Sequence, residues 1–166
     1  MPLAELFAQH HVELYRYVAR FTGDPDLAED VVQDVFVRLS ERPPGNQSQM
    51  RGWLFRVATT VAIDAMRGAR RRLALARERP DRQPLGDPPP DPATALEREE
   101  TRRRVREALV ELGAKERAVL LMREEGFAHR EIAAAVGTTT KSVGTMIARA
   151  LDKLARQLNL DAEEQR

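Results

Sequence analysis

Apolar residues along this chain recur at helical spacing. In the first twenty-odd positions Leu3, Leu6, Phe7, His10, Leu14 and Tyr17 or Val18 return every three or four residues, which predicts an amphipathic helix closed by Gly23. Asp24 then offers an N-cap carboxylate, and Pro25 takes the first helical position, where a missing N–H is no loss. The stripe Leu27, Val31, Val35 and Leu39, broadened by Val32 and Phe36, predicts a second helix. A Pro-Pro-Gly run, Pro43, Pro44 and Gly45, turns the chain into a third helix over about residues 49–72, with Trp53, Leu54, Val57, Val61 and Met66 on its inner side. Further on, the pattern predicts helices over 93–112, 114–125, 129–136 and 140–158.

The fold class is therefore all-α. Charged residues make up 32% of the 166 positions and aromatics only 5%, a balance that favours helices over aromatic-rich strands. Between the third and fourth helices lie Pro80, Pro84, Pro88, Pro89, Pro90 and Pro92 with Gly86, a composition that reads as a linker. About 20 residues at ~3.3 Å each let such a segment separate its flanks by up to ~65 Å. The predicted organisation is a helical domain over 1–76, a flexible Pro-rich linker over 77–96, a second helical domain over 97–160 and a tail over 161–166.

Several function classes drop out. With no cysteine, disulfides, thiolate metal sites and cysteine nucleophiles are excluded. His10, His11 and His129 share no ligand spacing, and no nucleophile motif, P-loop or GxGxxG pattern occurs. The expectation is a non-enzyme without metal, cofactor or small-molecule substrate. No apolar run approaches the ~20 residues of a membrane span, and no basic stretch followed by an apolar core opens the chain, so a soluble cytoplasmic protein is expected.

Net charge is only +1, yet its placement is uneven. Arg51, Arg56, Arg67, Arg70, Arg71, Arg72 and Arg77 follow one another with Asp64 as the only intervening acid, a composition that faces polyanions. Trp53, Thr59 and Thr60 accompany them, and an aromatic with hydroxyls and cations suits single-stranded or melting DNA. The same arginines also read as a solvated helix end complementing its dipole. On the second helix Asp26, Glu29, Asp30, Gln33 and Asp34 lie opposite the apolar stripe and read either as a docking face or as ordinary solvated surface.

The run HREIAAAVGTTTKSVGTMIARALDKL, residues 129–154, has helix-turn-helix spacing. Ile132 and Val136 bury the first helix, Ala133 permits close approach, Gly137 can take a positive φ, and Val143 and Ile147 face inward. Thr139 or Thr140 caps the second helix, leaving Thr138, Thr139, Thr140, Lys141, Ser142 and Thr145 at its exposed N-terminal end, where bases and phosphates are met. An ordinary helical hairpin is the bland alternative.

In their order these segments resemble extracytoplasmic-function sigma factors of bacterial RNA polymerase. YRYVARFTGDPDLAEDVVQDVFVRL, residues 15–39, resembles the opening of sigma region two, and RGWLFRVATTVAIDAMRGARRR, residues 51–72, its promoter-melting part. LGAKERAVLLMREEGFAHREIAAAVG, residues 112–137, is similar to region four. The resemblance implies that the surface from Asp26 to Arg38 docks on the polymerase core through β′, with β also a partner. It implies that the segment from Trp53 to Arg72 opens the −10 element of promoter DNA and that residues 140–154, Arg149 among them and with Arg130 nearby, read the −35 element. An anti-sigma factor is a further candidate partner. Thr60 stands where many relatives carry asparagine, and Gly144 and Met146 where many carry lysine and arginine, so weak −35 selectivity and greater reliance on the −10 region are expected. The rival readings are a stand-alone helix-turn-helix regulator and a helical adaptor that binds only proteins.

Overall fold

The computed structural model describes residues 2–76 and 92–164. Seven α-helices appear among them: α1 Leu3–Thr22, α2 Pro25–Glu41, α3 Met50–Ala76, α4 Pro92–Glu111, α5 Ala114–Glu124, α6 His129–Val136 and α7 Thr140–Glu164. A single 3-10 turn at Gln47–Gln49 leads into α3. Residues 77–91, most of the expected linker, lie outside the described residues. The remaining five linker positions, 92–96, belong to α4, because Pro92 occupies a helix start that tolerates proline. Likewise α3 continues four residues past Arg72, and α7 runs to Glu164 through positions assigned to the tail.

Local chemistry sets the boundaries. Gly23 closes α1 with its N–H on the Ala19 carbonyl, and one Asp24 oxygen then accepts the N–H groups of Asp26 and Leu27 at 3.0 and 3.1 Å to open α2. The stripe Val31, Val35 and Leu39 is buried with Val32 and Phe36, as its spacing requires. On α3 the inner face is Leu54, Phe55, Ala58, Val61 and Ala62, while Trp53, Val57 and Met66 are only partly covered. Leu3 and Phe7, expected inside, stay 44% and 41% exposed; Phe7 stacks on His11 at 4.5 Å and meets Phe36 edge-on at 4.9 Å. With Gln33, Phe36, Val37 and Ser40 they line a shallow groove of about 320 Å³.

Helices α1, α2 and α3 pack mutually, and α7 packs against α4, α5 and α6. The halves are also in contact, through α3 with α6, α1 with α5, α1 with α4 and α3 with α5. Buried residues from Leu6 to Ala150 consequently form one continuous cluster instead of two isolated cores. Truncating a fully enclosed member such as Leu14 or Leu54 to alanine costs about 2–5 kcal/mol.

Candidate nucleic-acid interface

The outer side of α3 carries a single polar row. Arg56, Thr60, Asp64, Arg67 and Arg71 are spaced by three or four residues, all are exposed, and they therefore share one face. Arg70 and Arg72 flank its basic end, also exposed. The Thr60 hydroxyl donates to the Arg56 carbonyl at 3.0 Å, which leaves its oxygen lone pairs outward. Trp53, half-covered, lines a hollow of about 580 Å³ with Asp34, Val37, Arg38, Glu41, Arg42 and Val57, so its ring joins this row to the outer face of α2.

Two residues expected on that surface lie elsewhere. Thr59 is wholly buried; its hydroxyl donates to the Phe55 carbonyl at 2.7 Å and lies 2.7 Å from the Tyr17 hydroxyl. One residue separates it from the exposed row, and 100° of helical rotation carries it into the bundle. Arg51 turns away from the row toward Glu13, its Nε 2.7 Å from Oε1, and toward the turn after α5. Neither side chain reaches the α3 outer face in this arrangement.

On α2, Asp26, Glu29, Asp30 and Gln33 are exposed, whereas Asp34 is half-covered and paired with Arg38 at 3.1 Å. The free negative charge of this face is thus concentrated in its first half.

The C-terminal site is built around two caps. Glu131 accepts the Ala128 N–H at 2.9 Å to start α6, and Gly137, at φ 70°, reverses the chain so that the Thr138 N–H reaches the Ala133 carbonyl at 3.0 Å. The Thr139 hydroxyl then accepts the Ser142 N–H at 3.3 Å and lies 2.7 Å from the Ser142 hydroxyl, which makes Thr139 the cap of α7. Ile132, Val136, Val143 and Ile147 are buried between the two helices. Lys141, Thr145 and Arg149 form an exposed i, i+4 line with Gly144 beside it; Thr140 and Arg130 are exposed, while Thr138 and Ser142 are half-covered. Lys153 bonds both oxygens of Glu116 at 2.7 and 2.9 Å and ties α7 to α5.

Two charged groups between the two halves escaped the sequence reading. Arg117, 1% exposed, donates to the carbonyls of Phe21, Val110 and Leu112, so a guanidinium joins the C-terminal ends of α1 and α4, where the helix dipoles are negative. Its spacing of four from buried Leu121 was the available signal. Glu125, opposite Arg51, has its carboxyl pushed above the usual range by burial and by Glu13, against the pull of Arg51 and Arg20. Burial likewise pushes the Tyr17 phenol well up, outweighing its bond to Thr59.

The half that carries the α3 row and the half that carries the capped α7 each match a known family. Residues 6–72 match Sigma-70 region 2, and residues 102–154 match Sigma-70, region 4. The ECF RNA polymerase sigma factor SigG of Mycobacterium tuberculosis is 34% identical over 165 residues, covering 86% of this chain and 45% of SigG. SigE of Mycolicibacterium smegmatis is 30% identical, covering 96% of this chain and 63% of SigE. Among solved structures, CnrH in complex with the cytosolic domain of CnrY aligns at a TM-score of 0.65 and 27% identity, covering 96% of this chain and 88% of that one. The sigma factor RpoE in complex with the anti-sigma factor NepR from Bartonella quintana shares the fold, with a TM-score of 0.71 at 19% identity over 95% of this chain and 97% of that one. The chain belongs to the extracytoplasmic-function sigma factors. It spans about half the length of SigG.

Proposed function

We propose that this chain directs RNA polymerase core to promoters, acting as a specificity subunit with no catalysis of its own. The exposed row Arg56, Thr60, Asp64, Arg67 and Arg71 on α3, with Trp53 at its head, is the observation that carries the reading. Arg67 and Arg71, one turn apart, with Arg56 about three turns before them, can track a phosphate backbone, and a half-exposed indole offers a stacking face to an extruded base. Arg70 and Arg72 extend the field at the helix end. The −10 element is the proposed target of this face.

Lys141, Thr145 and Arg149, with Thr140 and Arg130 nearby, are proposed to meet the −35 element in the manner of a recognition helix. Two cations along that line, with Gly144 between them, give a small phosphate footprint. The α2 face from Asp26 to Arg38 is proposed to dock on the polymerase core, with β′ as its main partner and β as a second, and an anti-sigma factor is the proposed inhibitor. No helix among the described residues is long and apolar enough to cross a membrane, and action in the cytoplasm, beside polymerase and chromosome, is part of the proposal.

In vitro transcription with core polymerase and a randomised promoter library tests the reading: initiation from a defined sequence class is expected, and no initiation refutes it. Replacing Arg70, Arg71 and Arg72 together by alanine is expected to lower open-complex formation and its salt dependence; unchanged values for both remove these arginines from the mechanism. Failure to capture polymerase, combined with tight specific binding by the isolated chain, points instead to a stand-alone regulator.

A further inference from the structure

Hydrogen-bond donors and acceptors fall in blocks along the outer face of α3. Arg56 stands at one end and Arg67 and Arg71 at the other, all exposed, and a guanidinium can only donate. Between them lie Thr60 and Asp64, one turn apart and also exposed. The Thr60 hydroxyl commits its proton to the Arg56 carbonyl at 3.0 Å, so it shows only an acceptor to solvent. The carboxylate of Asp64 accepts as well. The middle of the row is thus an acceptor patch set between cations.

Asp64 is also uncommitted. Arg67 lies three positions on, a spacing at which such pairs form on helices, yet among the described residues Asp64 makes no ion pair or hydrogen bond. Asp34 on α2, by contrast, is paired with Arg38 at 3.1 Å. One turn beyond Asp64, Gly68 carries no side chain, and a Cβ built there meets nothing within 4 Å. An interior glycine weakens a helix, and this one leaves the carboxylate open to approach from that side.

A free carboxylate gains nothing from a DNA backbone, whose phosphates are anionic and whose oxygens are acceptors. The donors that DNA presents are the amino groups of its bases. In the major groove adenine N6 sits beside the acceptor N7, which repels a carboxylate, and the guanine amino group lies in the minor groove. Cytosine N4 has no acceptor beside it on its own base. We propose that Asp64 specifies a cytosine within the −10 element by accepting from its N4 amino group, while Arg56, Arg67 and Arg71 hold the adjoining phosphates. This deepens the sigma-factor reading above and rests on it. The flanking cations sharpen the choice: with the backbone held close, thymine or guanine sets a carbonyl oxygen against Asp64, and the mismatch is repulsive.

Asp64→Asn tests the assignment, because it keeps the size and helix propensity of the residue while adding a donor beside the acceptor. Holoenzyme assembled from the full chain and core polymerase is given a promoter library randomised through the −10 element, and both the retained DNA and the transcripts are sequenced. Wild type is expected to enrich cytosine at one position by about five- to tenfold. Asp64→Asn should move that same position to adenine, which an amide pairs through N6 and N7, and Asp64→Ala should flatten it. Identical base preferences for all three chains, or a wild type without a cytosine preference, overturn the assignment. Retained DNA that follows residue 64 while no chain yields a transcript leaves base reading standing and removes the initiation reading. Transcripts from a defined sequence class that ignores residue 64 do the reverse.

Discussion

Thr59 and Thr60 show how much one residue of helical rotation decides. The buried Thr59 hydroxyl links α1 to α3 through Tyr17, while the Thr60 hydroxyl sits in the open row. Tyr17→Phe removes one buried hydrogen bond but leaves Thr59 its Phe55 carbonyl, so a loss of about 1 kcal/mol is expected in urea unfolding, with DNA binding unaltered. Thr60→Asn, at an exposed position, is expected to leave stability unchanged and to shift base preference at the −10 element; identical library selections for both chains would remove Thr60 from base reading. Glu125 supplies a pH effect with a definite sign. Its carboxyl is raised from the usual 4.5, so its contribution to the fold is fully present below that value and is lost as pH rises through the raised one. The groups facing it are Arg51, Arg20, Glu13 and Glu124, with His10 3.9 Å behind Glu13. Glu125→Gln should therefore be no less stable than wild type at neutral pH and should flatten the wild-type stability profile through this window. A profile unchanged by the substitution would show that Glu125 does not titrate against the fold.

At the scale of elements, α7 combines a well-capped start with a weak second turn. Gly144 is exposed, and a Cβ built there meets nothing within 4 Å, so Gly144→Ala should stabilise the helix by about 1 kcal/mol. Gly144→Lys should add a phosphate contact as well, steepening the salt dependence of promoter binding by about one unit of log–log slope. Titration of holoenzyme affinity against salt checks this, and an unchanged slope would place the residue away from DNA. Helix identities were legible because their apolar spacing and caps are local: Asp24, Pro25, Gly137 and Thr139 stand where the chemistry of termini demands. The extension of α3 to Ala76 was not, since Leu73, Ala74, Leu75 and Ala76 follow three arginines without continuing the helical apolar repeat and run directly toward the proline-rich stretch. Pro92 misled for a different reason. Counted with its proline neighbours it signals a linker, yet alone at a helix start it is favoured.

For the whole molecule, periodicity tells which face of a helix is buried but not what covers it. The pairs that join the halves, Arg51 with Glu125 and Arg117 with Phe21, lie 74 and 96 residues apart, and no local spacing connects them. Composition showed two helical halves and the polyanion-facing stretch; their mutual contact is a tertiary fact. That contact bears directly on how the free chain should behave with DNA. Glu125→Arg, which sets a second cation against Arg51, should part the halves and offer the α3 row and the α7 tip without a fixed spacing, so the second contact should gain little from the first. Gel shifts with a selected promoter should then find weak, salt-sensitive binding for wild type and somewhat stronger but still unselective binding for the opened variant. Tight discrimination should arise only when core polymerase fixes the distance between the two halves. Strong sequence preference by the isolated wild-type chain would contradict this, because it would mean that one half suffices and that holding the halves apart contributes nothing.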